Sequence, residues 1–249
     1  MRQYGSTKED VSTTKAAEYI FSCQSDEGDF RGFLGNQYAT YYTGDVTALL
    51  ILAGYSNDKR IEKAFKWLIS MRQDDEGWAV PILTHNLDRK TSHMLMTEDV
   101  APLQPIRSKP FSHFCTDMVL RAFAVHPEHR SSLVARKAGS MLKKRFFKPD
   151  SYRSYQHPRY WTRFLFWWPN VLTSLDSLSR IGFRFDDPEI KVGLDWFRDN
   201  QQPSGLWKVS YEDKAHLGNA RNMERSLWVT LNICRLFKRF NGSTAAEAS

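Results

Sequence analysis

The sequence has few cysteines, and they are poorly placed for cross-linking. Cys23, Cys115 and Cys234 are an odd number, lie far apart and form no C-x-x-C pair. A disulfide framework and a structural zinc knuckle are therefore not expected. We expect a reduced, cytoplasmic chain.

Long apolar runs are also missing. No apolar stretch approaches the roughly 18–20 residues that a membrane-spanning helix needs. The first ten residues are polar, so no secretory signal is expected. Of the 249 residues, 41% are hydrophobic and 25% are charged. This composition is typical of a globular protein, and the length fits one large domain.

Alternating strand patterns are nearly absent, whereas apolar residues recur at spacings of three and four. The pattern predicts eight helices. Their approximate bounds are 13–23, 42–53, 58–72, 113–125, 130–146, 168–181, 187–200 and 224–239. Asn57-Asp58 and Asp186-Asp187-Pro188 are the helix-start signals of the third and seventh helices.

Two segments fall outside this pattern. Residues 79–111 contain four prolines and no clear period, so they are expected to form an irregular insertion, either a lid or a disordered loop. Residues 241–249 are small and polar, and we expect a disordered C-terminal tail.

The chain carries 35 basic and 28 acidic residues, a net charge of +7. The densest basic cluster, Lys143, Lys144, Arg145 and Lys148, comes at the end of a predicted helix. The backbone dipole attracts cations there, which favours a solvated structural cluster. The alternative is a site for a polyanion.

Internal repetition is the strongest signal. Ile61, Trp67, Gln73 and Trp78 recur 129 residues later as Ile190, Trp196, Gln202 and Trp207. A looser copy is Tyr19, Gln24, Gly28 and Phe30, and a fourth ends at Phe146-Phe147. Gly77 and Gly205 are predicted to adopt the left-handed conformation that closes a helix. One such unit cannot bury its own apolar face, so the copies must stack.

The stretches 67–78 and 196–207 resemble the Q-W repeats of the terpenoid cyclase and protein prenyltransferase superfamily, which includes the squalene–hopene cyclases. The likeness extends over about residues 13–240. It implies an all-α fold, an (α/α) toroid of four to six helical hairpins forming a single domain over residues 1–240. In that fold, outer and inner helices alternate around a central aromatic cavity. The second, fourth, sixth and eighth predicted helices would then be the inner ones.

The acid motifs of the superfamily are not found. The D-x-D-D motif of alkene-protonating cyclases and the D-D-x-x-D motif of magnesium-diphosphate synthases are both absent. Asp45 and Asp117, which begin two predicted inner helices, are therefore our candidate catalytic acids, since burial beside an apolar cavity would raise a carboxyl pKa. Helix capping is the alternative role.

The segment that starts at His113 offers a second possibility. His113, Cys115 and Asp117 are ligand types that suit zinc. On a helix, however, residues 113 and 115 diverge by about 200°. We therefore expect no metal and no cofactor, and assign His113 to substrate binding.

The remaining candidates are grouped around residues 152–169 and the inner-helix starts. His157 and Tyr160 are candidate proton donors or acceptors. The candidates for lining the cavity and stabilising a carbocation are Tyr41, Tyr42, Trp161, Phe164, Trp167 and Trp168. Asn170, Asp176 and Arg225 complete the expected substrate site. Aromatic core packing is the alternative for the segment, and its mix of arginine and aromatic residues would also suit stacking on bases. No nucleic acid is expected.

These observations predict an enzyme similar to terpenoid cyclases and prenyltransferases, which transforms an apolar isoprenoid-type substrate. One alternative is a non-catalytic module that binds a lipid, another ligand or a protein. The other is a carbohydrate-active (α/α) enzyme, which would need paired carboxylates across a polar cleft. A peripheral membrane contact and a homodimer are further expectations to test.

Overall fold

A computed structural model describes residues 7–152, 157–164, 168–208 and 220–245. In these residues the regular secondary structure is entirely helical, which confirms the expected all-α class. The α-helices are α1 (Val11–Ser22), α2 (Thr40–Leu50), α3 (Lys59–Ser70), α4 (Arg89–Thr97), α5 (His113–Val125), α6 (Leu133–Lys143), α7 (Val171–Ile181), α8 (Pro188–Asp199) and α9 (Ala220–Ala245). A π-helical turn, Ile51–Tyr55, continues α2.

The predicted helix starts are confirmed at α3 and α8. The Asp58 side chain accepts a hydrogen bond from the backbone N–H of Arg60 at 2.8 Å. Asp187 accepts from the N–H groups of Glu189 and Ile190, and Pro188 is the first residue of α8. Both carboxylates satisfy backbone donors that have no partner within the helix.

The helices form two layers. In the first layer, which we call the inner row, α2 packs on α5, α5 on α7, and α7 on α9. Helices α3, α6 and α8 pack against this row, and α3 is joined to α1 by a bidentate ion pair between Arg60 and Glu18. Helix α5 is the centre of the molecule, because all of its residues except Arg121 and Val125 are buried.

Helices α2 and α5 approach each other closely at Gly44. A Cβ atom added to Gly44 would lie 2.5 Å from the Cα of Val119 and 2.9 Å from the carbonyl oxygen of Met118. Both of these are backbone atoms and have no freedom to move aside. Only glycine therefore allows this packing of the two helices.

The 129-residue repeat is visible in the hydrogen bonds. The indole Nε1–H of Trp78 donates to the carbonyl of Leu68 at 2.6 Å, and that of Trp207 donates to the carbonyl of Phe197 at 2.8 Å. All four positions obey the same offset. Each tryptophan thus satisfies a carbonyl near the end of the preceding helix.

The prediction for the glycines is confirmed at one position and wrong at the other. Gly205 has a positive φ of 82°, but in the earlier repeat it is Glu76, with a φ of 75°, that takes this conformation. Glu76 and Gly205 are the pair separated by 129 residues. Gly77 is needed for a different reason, since a Cβ there would lie 2.5 Å from the side chain of Phe111.

Each described repeat turn is also attached to an inner helix. The backbone N–H groups of Phe30, Trp78 and Trp207 donate to the hydroxyl oxygens of threonines at 2.9, 2.9 and 3.3 Å. These threonines are Thr43 on α2, Thr116 on α5 and Thr230 on α9. The turns therefore fix the position of the inner row.

Residues 79–111 are more ordered than the sequence predicts. They contain a 3-10 helix, Pro81–His85, and the helix α4. The buried side chain of Gln37 accepts from the N–H of Leu103 at 3.0 Å and donates to the carbonyl of Leu95 at 2.9 Å. This amide anchors two points of the segment, whose role as a lid stays a prediction.

Helix α9 ends at Ala245, so it continues beyond the predicted boundary at residue 240. Residues 246–249 lie outside the described part of the chain. Among the helices described, none combines the length and the apolar character needed to cross a bilayer.

Candidate functional site

The two candidate acids are brought together by an arginine. The Nη1 of Arg121 donates to Oδ1 of Asp45 at 2.9 Å, and its Nη2 donates to Oδ2 of Asp117 at 3.2 Å. The Asp117 side chain is 1% exposed, Arg121 14% and Asp45 23%. We call this set the Arg121 cluster. It extends from a fully buried carboxylate to one that solvent reaches.

Asp117 also connects α5 to α7. Its Oδ1 accepts from the hydroxyl of Ser174 at 2.6 Å, and its Oδ2 accepts from the hydroxyl of Thr173 at 3.0 Å. Burial raises the pKa of this carboxyl, whereas Arg121 and the two hydroxyls act in the opposite direction. Through Asp117 and Arg121, the cluster joins three helices of the inner row.

Neither carboxylate caps its helix. The N-caps are Ala39 for α2 and Ser112 for α5, so Asp45 and Asp117 lie within the helices. Asp45 shares its side of α2 with Val46 and Leu49, at spacings of one and four residues. Leu49 is 40% exposed. The accessible side of α2 therefore places apolar groups next to the Arg121 cluster.

A second ionic group lies further along the inner row. Asp176 on α7 accepts from Nε of Arg180 at 2.8 Å and pairs with Arg239 on α9. The Nε of Arg239 donates to the hydroxyl of Ser179 at 3.2 Å. Asp176 thus joins α7 to α9.

The aromatic candidates mainly pack against one another. Trp161 is buried, stacks on His113 with ring centres 4.4 Å apart, and donates to the carbonyl of Lys148. Phe164 stacks on Phe197, and Trp168 meets Phe114 edge to face. These contacts favour the core-packing role for the segment.

The neighbouring aromatic candidates divide in the same way. Tyr41 is buried against Phe114, whereas Tyr42 on the same helix is partly exposed. Tyr160 lies beside Trp168, beneath the guanidinium of Arg163. Trp167 lies outside the described residues.

Three polar candidates have local positions. His157 accepts from the N–H of Arg159 at 3.1 Å at the start of a 3-10 helix, Pro158–Thr162. Asn170 caps α7, accepting from the N–H groups of Leu172 and Thr173. Arg225 is exposed on α9. These positions do not bring the three residues to the Arg121 cluster.

His113 faces a buried carboxylate. Its Nδ1 lies 3.4 Å from Oδ2 of Asp150, which accepts from the hydroxyl of Ser112 at 2.9 Å. Burial lowers the pKa of His113 to about 4, although Asp150 opposes the shift. Burial raises the pKa of Cys115 to about 12. Among the described residues, His113, Cys115 and Asp117 do not form a set of ligand atoms close enough for one ion.

One cluster of metal-ligand type does occur, at the end of α5. Nε2 of His129 lies 3.1 Å from Oε1 of Glu62, and Nε2 of His126 lies 3.7 Å from the same oxygen. Nδ1 of His126 accepts from the N–H groups of Glu128 and His129. The neutral His126 ring therefore carries its proton on Nε2, facing Ser56 and Glu62. That nitrogen has no lone pair for a metal, and the cluster is better explained as a hydrogen-bonded joint.

No protein-family model matches this sequence, and a comparison with curated proteins finds no significant similarity. The interpretation of the site therefore depends on its own geometry. Sequence reasoning missed Arg121 and Arg239. The spacing of four between Asp117 and Arg121 is a signal that could have identified the first pair. The contact of Arg239 with α7 has no counterpart in the local sequence.

Proposed function

We propose that the two layers of helices are part of an (α/α) toroid, and that the chain binds an apolar, isoprenoid-type molecule against the inner row beside the Arg121 cluster. The observation that carries this proposal is the position of Val46 and Leu49 next to the partly exposed pair of Asp45 and Arg121. An apolar chain would cover the aliphatic groups, and a polar end would meet the ion pair. The sharing of bonds between repeats 129 residues apart supports the stacked-hairpin arrangement.

Binding without turnover agrees best with the state of the two carboxylates. A catalytic acid must hold a proton and present it to the substrate. Asp117 instead accepts hydrogen bonds from two hydroxyls and a guanidinium, and Asp45 accepts from the same guanidinium. These donors stabilise the charged carboxylates.

Acid-initiated transformation of the bound molecule is the second candidate. It is favoured by the burial of Asp117, which raises the pKa of this carboxyl. Asp117 would then supply the proton, with Asp45 at the accessible end of the cluster. A carbohydrate-active site is less well supported, because Val46 and Leu49 offer no groups that bind hydroxyls.

Two measurements on one sample test these candidates. The protein is incubated with squalene and with prenyl diphosphates, followed by mass spectrometry for products and by equilibrium binding of a fluorescent farnesyl probe. Probe binding without any product supports the binding module. A product that disappears in both Asp45→Asn and Asp117→Asn supports catalysis. Absence of both binding and product overturns the proposal.

A matched pair of variants locates the binding surface. Leu49→Asn replaces an exposed apolar residue of the inner row, and Val192→Asn does the same on α8, outside that row. We expect Leu49→Asn to weaken probe binding about tenfold, the loss of one buried aliphatic side chain. Val192→Asn should leave the affinity unchanged. Equal affinities of the two variants would contradict the placement of the ligand.

A further inference from the structure

The net charge of the chain comes from one short segment. Residues 129–149 contain seven lysines and arginines and no acidic residue. Since the whole chain has 35 basic and 28 acidic residues, the remainder carries 28 of each sign. The electrostatic field that the protein presents to an anionic partner therefore originates around α6 and the turn that follows it.

The basic side chains of this segment lie on the accessible side of α6. Arg136, Lys137, Lys144 and Lys148 are all exposed, whereas Ala135, Ala138 and Leu142 on the opposite side are buried. Arg136 and Lys137 border a shallow surface depression together with Ser140 and Met141. We call the exposed set of Arg136, Lys137, Lys144 and Lys148 the α6 basic face.

Only part of this charge is neutralised within the protein. Lys137 pairs with Glu76 at 2.7 Å, and Lys143, which is half-buried, pairs with Asp187 and Glu189. Within the part of the chain that the structure describes, Arg136, Lys144 and Lys148 have no acidic partner. These three cations are available to an external anion.

An apolar group accompanies the cations. Leu133, at the start of α6, is 68% exposed, and positions 133, 137, 140 and 144 lie along one side of the helix. A leucine at the edge of a basic surface can enter the boundary between lipid head groups and acyl chains. It offers nothing to a nucleic acid backbone, and Phe146, an aromatic residue close by, is buried and cannot stack on bases.

We propose that the α6 basic face docks on an anionic lipid bilayer, with Arg136, Lys144 and Lys148 against the lipid phosphates and Leu133 in the head-group boundary. The proposal depends on charge and exposure alone and is independent of the ligand proposed for the inner row. Each basic residue close to an anionic bilayer strengthens binding by about fivefold. Because the attraction is electrostatic, it must weaken as the salt concentration rises.

Vesicle co-sedimentation tests the proposal with the full chain. Vesicles of phosphatidylcholine mixed with phosphatidylglycerol should bind the protein at low salt, and vesicles of phosphatidylcholine alone should not. The variant Arg136→Ala/Lys144→Ala/Lys148→Ala should bind about 100-fold more weakly. The control Lys59→Ala/Lys66→Ala/Lys90→Ala removes three exposed lysines from elsewhere and changes the net charge equally. It should bind almost as tightly as the unaltered protein.

Three outcomes would overturn the proposal. The first is equal loss in the two triple variants, which would mean a general charge effect. The second is equal binding to both kinds of vesicle. The third is displacement from vesicles by duplex DNA at low concentration, which would identify a nucleic acid as the preferred partner. Leu133→Asn separates the sources of lipid affinity further, since it should weaken binding to vesicles while leaving any affinity for inorganic phosphate unchanged. Circular dichroism establishes that each variant is folded.

Discussion

Arg121 and Asp45 join two neighbouring helices, with Nη1 of the arginine 2.9 Å from Oδ1 of the aspartate. The same guanidinium holds Asp117, which is more deeply buried. The two contacts are therefore unequal. One is a partly solvated ion pair, and the other keeps a buried carboxylate compensated.

This inequality predicts the effects of substitutions in the Arg121 cluster. Arg121→Leu leaves Asp117 buried beside an apolar group and should lower the free energy of unfolding by about 3 kcal/mol. Asp45→Asn keeps the contact between Arg121 and Asp117 and should cost less than about 1 kcal/mol. Urea denaturation of both variants measures the difference. Equal losses would show that the two ion pairs are equivalent.

The approach of α2 to α5 makes Gly44 sensitive to a single methyl group. Gly44→Ala places the new carbon against the backbone of Val119 and should destabilise the protein by about 3 kcal/mol. Gly193→Ala in α8 is the control, because the neighbouring atoms there belong to the mobile side chains of Leu175 and Val171. Its effect should stay within about 1 kcal/mol, since alanine also favours the helix. Thermal denaturation compares the pair.

The repeated indole bonds predict matched effects in the two repeats. Trp78→Phe and Trp207→Phe each remove a buried N–H donor and leave a carbonyl without its partner, which should cost about 2 kcal/mol in each case. Trp67→Phe provides the comparison, since the buried Nε1 of Trp67 has no hydrogen-bond partner among the described residues. It should cost less than either. Denaturant midpoints of the three variants decide the order.

The buried His113 predicts a loss of stability in acid. Its pKa is about 4 in the folded protein, against 6.5 as the reference value, so the unfolded chain binds the proton first. Stability is therefore complete above pH 6.5 and falls as the pH drops towards 4, by about 3 kcal/mol from this residue. Burial lowers the pKa of His126 as well, with the same sign.

The variant His113→Phe isolates this contribution. Phenylalanine keeps the stacking on Trp161 and has no proton to bind. Between pH 6.5 and 4.5 its stability should fall less steeply than that of the unaltered protein. Identical slopes in urea denaturation across this range would contradict the assignment.

The sequence predicts most of the helices because apolar spacing and caps are local signals. Helix α5 begins and ends where predicted, and Asp58 and Asp187 cap α3 and α8. Helix α4 was missed for a physical reason. It has no buried residue, so its sequence contains no apolar period to recognise.

The candidate site was only partly predictable. Asp45 and Asp117 were identified as residues of the inner helices, but the arginine between them depends on how α2 and α5 pack. That packing in turn depends on Gly44, whose importance is visible only when the backbone of Val119 is in place. The displaced left-handed residue has a similar origin, since Phe111 fills the space beside Gly77 and Glu76 makes the turn instead.

The threonine bonds of the repeat turns have a consequence for synthesis of the protein. Phe30, Trp78 and Trp207 are bound to threonines only 13, 38 and 23 residues further along the chain. Contacts of such short sequence separation form early, before distant parts of the polypeptide exist. We therefore expect the hairpins to dock one after another as they emerge from the ribosome, each completed layer serving as the template for the next.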